Sequence, residues 1–263
     1  MSRVFATTNQ KGGVGKTTTA INLAAALAAS ELRVLVIDND PQGNATSGLG
    51  IAKDPERVST YDFLLAETAP TEPFIPTAFE GLSIIPADKN LAGANLELVD
   101  VPHREYRLRE RLKTVRDQFD FTIIDCPPAL DLLTLNALIA ADALVVPIQC
   151  EFFALEGVSE LMDTIDRIRA SFHHPLEIEG ILLTMYDDRT NLTRQVAADL
   201  REFFQDDVFK TIIPRSVKLA EAPSFGKSIL SYDPRSKGAE SYIRLAKEIL
   251  DREQARKRAP RPR

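Results

Sequence analysis

The chain has 263 residues, 44% of them hydrophobic, enough to bury one large core, and an α/β chain of this size commonly forms a single domain. A net charge of −6 excludes a general basic attraction to nucleic acid, so any DNA contact has to come from a local patch. Two cysteines, Cys126 and Cys150, are too few for a disulfide framework or a Cys/His metal site, and no leader-like N-terminus or apolar run of about 18 residues is seen, which fits a reducing cytoplasm and no membrane span.

The first apolar run, residues 4–8, reads as a strand and leads into Lys11-Gly12-Gly13-Val14-Gly15-Lys16-Thr17-Thr18, after which residues 17–29 have a helical pattern. Strand, glycine-rich turn and helix in this order make a phosphate cradle. The three glycines let successive N–H groups face an anion at the positive end of the helix. Lys16 is placed to reach the β- and γ-phosphates and the Thr17 hydroxyl to bind Mg²⁺. The usual pattern G-x-x-x-x-G-K-[ST] is broken at its first glycine, which is Gln10, and a second lysine, Lys11, opens the loop.

Further β-rich runs follow at 34–37, 82–86, 121–124, 143–148, 178–184 and 208–213, mostly separated by helical segments at 104–117, 132–140, 155–170, 192–204 and 239–255. This alternation predicts an α/β fold with a mainly parallel sheet covered on both faces, in which ligands sit beyond the carboxyl ends of the strands. Two such ends carry carboxylates. Residues 34–37 run into Asp38-Asn39-Asp40-Pro41, and residues 121–124 run into Asp125-Cys126-Pro127-Pro128, an aspartate that can orient Mg²⁺ and its waters. Both are also ordinary turn chemistry; the P-loop in the same sheet favours the metal reading. The last helix puts Tyr242, Leu245, Ala246, Ile249 and Leu250 on one stripe, and residues 256–263, R-K-R-A-P-R-P-R, read as a basic, disordered extension of a single P-loop domain spanning 1–255.

K-G-G-V-G-K-T-T, D-N-D-P-Q-G-N-A-T-S-G-L-G, D-C-P-P, M-Y-D-D-R-T and P-R-S-V-K-L-A-E-A-P-S-F-G-K-S-I together resemble the ParA/Soj-type chromosome- and plasmid-partitioning ATPases, which have a deviant Walker A motif, over about residues 4–250. The resemblance implies a P-loop ATPase that takes ATP and Mg²⁺ and forms a homodimer with the nucleotides at the interface. Lys11 would reach the partner's phosphates, Asp40 would position the attacking water, and Asp38 and Asp125 would act through Mg²⁺ and its waters. Adenine would lie near Met185 and Pro214. Arg189, Arg215, Lys218 and Lys227 would join across the dimer into a face for non-specific double-stranded DNA. A ParB-type centromere-binding protein would stimulate slow hydrolysis, and the protein would be cytoplasmic and nucleoid-associated. Asn39 stands where the family often has an apolar residue, and Lys218 where arginine is frequent, which keeps the charge and loses the fork.

Other readings share the nucleotide site. A membrane-recruited positioning ATPase of the MinD type would need an amphipathic membrane helix, but the apolar stripe of the last helix looks like core. An iron–sulfur reductase would need cysteines bridging a dimer, whereas Cys126 and Cys150 read as buried small apolar residues. A polar-localisation ATPase moving protein cargo stays open.

Overall fold

A computed structural model describes residues 2–258 with the exception of Lys53, Pro55 and Phe153. Among the described residues, eight strands form one sheet in the order β3-β4-β2-β5-β1-β6-β7-β8. They are β1 (Arg3–Thr7), β2 (Val34–Asp38), β3 (Ile75–Pro76), β4 (Leu82–Ile85), β5 (Phe121–Asp125), β6 (Ala143–Gln149), β7 (Glu177–Tyr186) and β8 (Val208–Pro214). Only the two-residue edge strand β3 runs antiparallel. The remaining pairings are parallel, as expected from strands that are apolar on both faces.

The two faces are filled by alternate residues of the same strands. Val4, Ala6, Leu35 and Ile37 point into one core cluster, with α3 (Thr60–Leu65), α4 (Leu91–Glu97), α5 (Arg107–Leu112), α6 (Leu132–Ala140), α7 (Ala154–Phe172) and α8 (Asn191–Phe204). Phe5, Val34 and Val36 point into the other, with α1 (Lys16–Ala28), α2 (Asn44–Gly48), α9 (Val217–Glu221), α10 (Ile229–Tyr232) and α11 (Lys237–Arg258). α1 is alanine-rich and buried almost all round, because it lies between the sheet and α11. Gly180 in β7 makes room for Phe209 of β8: a Cβ there would fall 2.6 Å from the ring.

Two expectations change. The segment 104–117 is not one helix but a 3₁₀ turn at Arg104–Tyr106, α5, and a second 3₁₀ turn at Arg116–Gln118. Thr114 is the reason. Its N–H and its hydroxyl both go to the Arg111 carbonyl, three residues back, at 3.1 and 2.8 Å, which tightens the chain and turns Val115 into the core. The last helix runs past Ala255 to Arg258, so the first three residues of the stretch expected to be a disordered extension are helical. Arg256 holds them, bridging to Glu179 at 2.5 Å and to Glu253 at 2.6 Å. The rest of that stretch, 259–263, lies outside the described residues.

Candidate nucleotide site and basic face

β1 delivers the chain to the glycine-rich loop through Asn9, whose amide donates to the Pro147 carbonyl and whose side-chain oxygen accepts the Lys11 N–H, each at 2.9 Å. Gly13 and Gly15 then take φ of 76° and 91°, the left-handed region that glycine enters without a steric cost. Gly15 is the N-cap of α1. Val14 is buried, and its carbonyl accepts the Thr184 hydroxyl at 2.8 Å, pinning the loop to the end of β7.

The loop's two lysines go to opposite sides. Lys16 is buried, lines the cleft and donates from Nζ to the Lys11 carbonyl at 3.0 Å. Burial lowers its pKa, with Asp125, Cys126 and Asp40 pulling the other way. The Lys11 side chain turns away from the cleft to Glu151, 2.7 Å from its carboxylate, with both groups nearly half exposed.

β2 and β5 lie side by side and in register, so Asp38 and Asp125 end neighbouring strands as direct partners. Both are fully buried. Asp38 accepts the Thr46 N–H at 2.7 Å and the Thr46 hydroxyl at 2.6 Å through one oxygen, and the Asp40 N–H at 3.2 Å through the other. Burial nevertheless pushes its carboxyl up to about 6. Asp125 is also raised, well above the ordinary carboxylate range, by burial first and by the Asp38 charge second; the Thr17 hydroxyl and Lys16 oppose this. Asp125 Oδ2 is buried with no hydrogen-bond partner in the protein. An orphaned carboxylate oxygen beside the Thr17 hydroxyl offers oxygen donors that a hydrated divalent cation fits, while the nearby Lys16 ammonium suits a phosphate instead.

Asp40 sits in the turn after β2, its side chain accepting the Gln42 N–H at 2.9 Å. With the glycine loop, Lys16, Thr17 and Thr18 on one side and Asp40 to Gln42, Asn44 and Pro127 to Ala129 on the other, it lines a cleft of about 720 Å³. Asn95 and Asp131 close the rim and were missed in the sequence. Asp131 caps α6 by accepting the Thr134 N–H, and it also accepts the Asn95 amide at 2.7 Å. A capping aspartate before an apolar helix was a readable signal; Asn95, on a seven-residue helix, was not.

Met185 and Pro214 lie at the ends of neighbouring strands, β7 and β8, where Tyr186 pairs with Pro214. Met185 has a left-handed φ of 48°. Thr184 ties this end to the P-loop, so both residues fall on the side of the loop away from Asp40. The four basic residues are exposed, and the Arg215 N–H donates to the Tyr186 carbonyl, which brings the 186–189 turn against the start of the 215–227 segment. Arg189 does not have a free fork. Asp187 accepts from its Nε at 2.8 Å and its Nη2 at 2.6 Å, and that pairing holds the Asp187 carboxyl down at about 2.

Comparison with known proteins supplies the family. An AAA-domain family model matches residues 2–178. The chain is 52% identical over 256 residues to the chromosome partitioning protein ParA of Caulobacter vibrioides, covering 97% of this chain and 96% of that protein. It is 53% identical over 249 residues to the sporulation initiation inhibitor protein Soj of Bacillus subtilis, covering 95% and 98%. The chain belongs to the ParA/Soj family of chromosome-partitioning ATPases. Among solved structures, a Mycobacterium smegmatis protein named cobyrinic acid a,c-diamide synthase, with a bound ATP analogue and magnesium, superposes with a TM-score of 0.85 at 38% identity over 99% of each chain. The ParA/Soj match runs through both halves of the fold, so it takes in the nucleotide loop and the basic segment alike.

Proposed function

We propose that this ParA/Soj-family ATPase is a nucleotide-switched DNA clamp, in which ATP joins two copies across their clefts, the pair binds duplex DNA without sequence preference, and a ParB-type centromere-binding protein stimulates hydrolysis and releases it. The observation that carries the reading is the divergence of Lys11 and Lys16. One loop holds two lysines, and only Lys16 faces the cleft of its own chain. The Lys11 ammonium, nearly half exposed and paired with Glu151, would exchange that carboxylate for the phosphates in the cleft of a second copy. Hydrolysis is then coupled to dimerisation, as it is wherever a cationic group is supplied in trans.

Within the cleft, the loop amides and Lys16 bind the phosphates of ATP, and Thr17, Asp38 and Asp125 hold Mg²⁺ and its waters. Mg²⁺ supplies charge neutralisation at the phosphate oxygens. Asp40 orients the attacking water from its turn, and Lys11 of the second copy adds positive charge. Little covalent chemistry is asked of the protein, so positioning and electrostatics dominate and slow turnover follows until a partner completes the site. Met185 and Pro214 flank the base.

Arg189, Arg215, Lys218 and Lys227 contact phosphates, which makes binding sequence-independent and steeply salt-dependent. A lipid-binding role has no support from α11: Tyr242, Leu245, Ala246 and Ile249 are buried in the core, and no helix among the described residues is long and apolar enough to cross a membrane. The test is binding to random-sequence duplex DNA with ATP, with ADP and without nucleotide across a salt series. Tight, salt-sensitive binding with ATP alone is expected. Intact hydrolysis with no binding in any state would assign the protein to positioning of protein or membrane cargo instead.

A further inference from the structure

Charge is only half of the 215–232 surface. Phe225 is 62% exposed and Val217 is 72% exposed, within a segment that also presents Arg215, Lys218 and Lys227 to solvent. The Phe225 ring stacks on Tyr232, with centroids 5.1 Å apart and planes 28° apart. Lys218 places its ammonium 5.6 Å from the centre of the same Tyr232 ring. The Tyr232 hydroxyl donates to the Glu221 carboxylate at 3.2 Å, which fixes the ring from behind. The result is a two-ring stack in which Phe225 stays mostly exposed, with the Lys218 ammonium at the Tyr232 ring and Lys227 two residues along the chain from Phe225.

An exposed aromatic ring beside ammonium groups is the chemistry that takes the flat surface of a base or the apolar face of a sugar, next to phosphates. We propose that Phe225, supported by Tyr232, is an aromatic platform for nucleic acid, giving this face a contact that does not depend on counterion release. The proposal rests on the DNA-clamp reading and adds to it a non-ionic component. The surface then favours DNA in which a base or sugar face is accessible, such as a single strand or an opened minor groove.

The two components separate in a salt series with the ATP-loaded full-length chain on random-sequence duplex and single-stranded oligonucleotides. Phosphate contacts set the slope of log affinity against log salt, and stacking changes affinity at constant slope. Phe225→Ala is expected to weaken single-strand binding by at least about fivefold with the slope unchanged. Lys218→Ala is expected to lower the slope. A weakening confined to single strands identifies an unpaired base as the stacking partner; a weakening on duplex as well places the ring against a sugar face or an opened base step of the minor groove. Phe225→Trp keeps the platform and introduces a tryptophan into a chain that has none, so its fluorescence should be quenched on binding DNA. Wild-type binding that Phe225→Ala leaves unchanged on both forms, or a Trp signal that DNA does not alter, overturns the platform and leaves the clamp standing. Absence of wild-type binding to DNA in every nucleotide state overturns both.

Discussion

Gly226 and Gly50 meet backbone to backbone: a Cβ added to Gly226 would fall 2.5 Å from the Gly50 Cα, and one added to Gly50 would fall 2.8 Å from the Gly226 carbonyl oxygen. Both residues have left-handed φ, 62° and 77°. The contact presses the segment that follows Asp40 and α2 against the turn that carries Phe225 and Lys227, so the cleft and the basic face share one tightly packed joint. Nearby, Gly48 lies against Pro223 of the same turn. Gly226→Ala is therefore expected to destabilise the fold by about 2–4 kcal/mol, from strained φ plus a clash with backbone that cannot step aside. Urea unfolding of the variant should show the shift in midpoint, and Gly12→Ala, where a Cβ meets nothing within 4 Å, is the matched control.

Arg256 closes the far end of the molecule. Glu179 is fully buried, one of its oxygens has no hydrogen-bond partner, and Arg256 meets the other at 2.5 Å while Arg3 stands off at 3.6 Å. Arg256→Ala leaves that carboxylate buried with only the looser partner, and about 2–3 kcal/mol of stability should go with it. Lys257→Ala, one residue on and exposed, should cost nothing measurable in the same denaturation experiment.

How far the sequence foretold this molecule depends on the range over which each signal acts. Strand, glycine loop and helix from Arg3 to Ala28 are local, and the pattern placed them to within a residue. Asp38 and Asp125 were readable as strand-end carboxylates, but their standing side by side required the strand order, which no local pattern encodes. The Lys11–Glu151 contact joins residues 140 positions apart and was equally out of reach. Short helices such as α2, α9 and α10 have four or five residues, too few for periodicity to show. α3 could have been found, since Ser59 and Asp62 form a capping box with spacing visible in the chain. The basic ending of α11 looked like a solvated tail because Glu179, the partner that orders Arg256, lies 77 residues earlier.

Replacing the lysine that faces the cleft should separate binding from folding. Lys16 is buried and its ammonium is held mainly by the Lys11 carbonyl, with burial lowering its pKa, so the side chain is a burden on the empty fold. Lys16→Ala is expected to abolish ATP binding in a calorimetric titration without lowering the thermal midpoint of the nucleotide-free protein. Asp40→Ala should keep ATP binding and leave a DNA-bound dimer that does not turn over. A normal hydrolysis rate in that variant would remove Asp40 from its assigned role.

The Asp38 carboxyl gives the nucleotide-free protein a pH dependence with a definite sign. Its folded pKa, about 6, lies above the ordinary value of 3.8, so the folded state binds this proton more tightly than the unfolded chain does. The stabilisation is present at low pH and is lost as pH rises from about 4 through about 6, by a few kcal/mol at most, since each pKa unit corresponds to about 1.4 kcal/mol. Paired carboxylates elsewhere, such as Asp187 held at about 2, slope the other way, and the comparison with Asp38→Asn removes them, leaving the contribution of the Asp38–Asp125 pair, since Asp125 loses with Asp38 one of the charges that raise it. The stability of wild type relative to that variant should fall between pH 4 and pH 7, measured by urea unfolding without Mg²⁺ or nucleotide. A difference that stays flat would mean that Asp38 carries its charge at no cost.

The Arg189–Asp187 pair predicts an unequal response across the basic face. Lys218 is exposed and bears its charge on α9, so Lys218→Ala should weaken DNA binding at every sequence, with ATP-driven dimerisation intact. The salt slope should fall by about 0.9 for each phosphate left without its lysine. Arg189 already commits two N–H groups to Asp187, a carboxylate that also sets a negative charge beside any phosphate approaching there. Asp187→Asn removes that charge and loosens the clamp on the guanidinium. Affinity should rise and the salt slope should steepen, measured by fluorescence anisotropy on a random duplex. If Asp187→Asn weakens binding instead, the carboxylate orients Arg189 for its phosphate, and the pair works as one unit rather than as a charge and its brake.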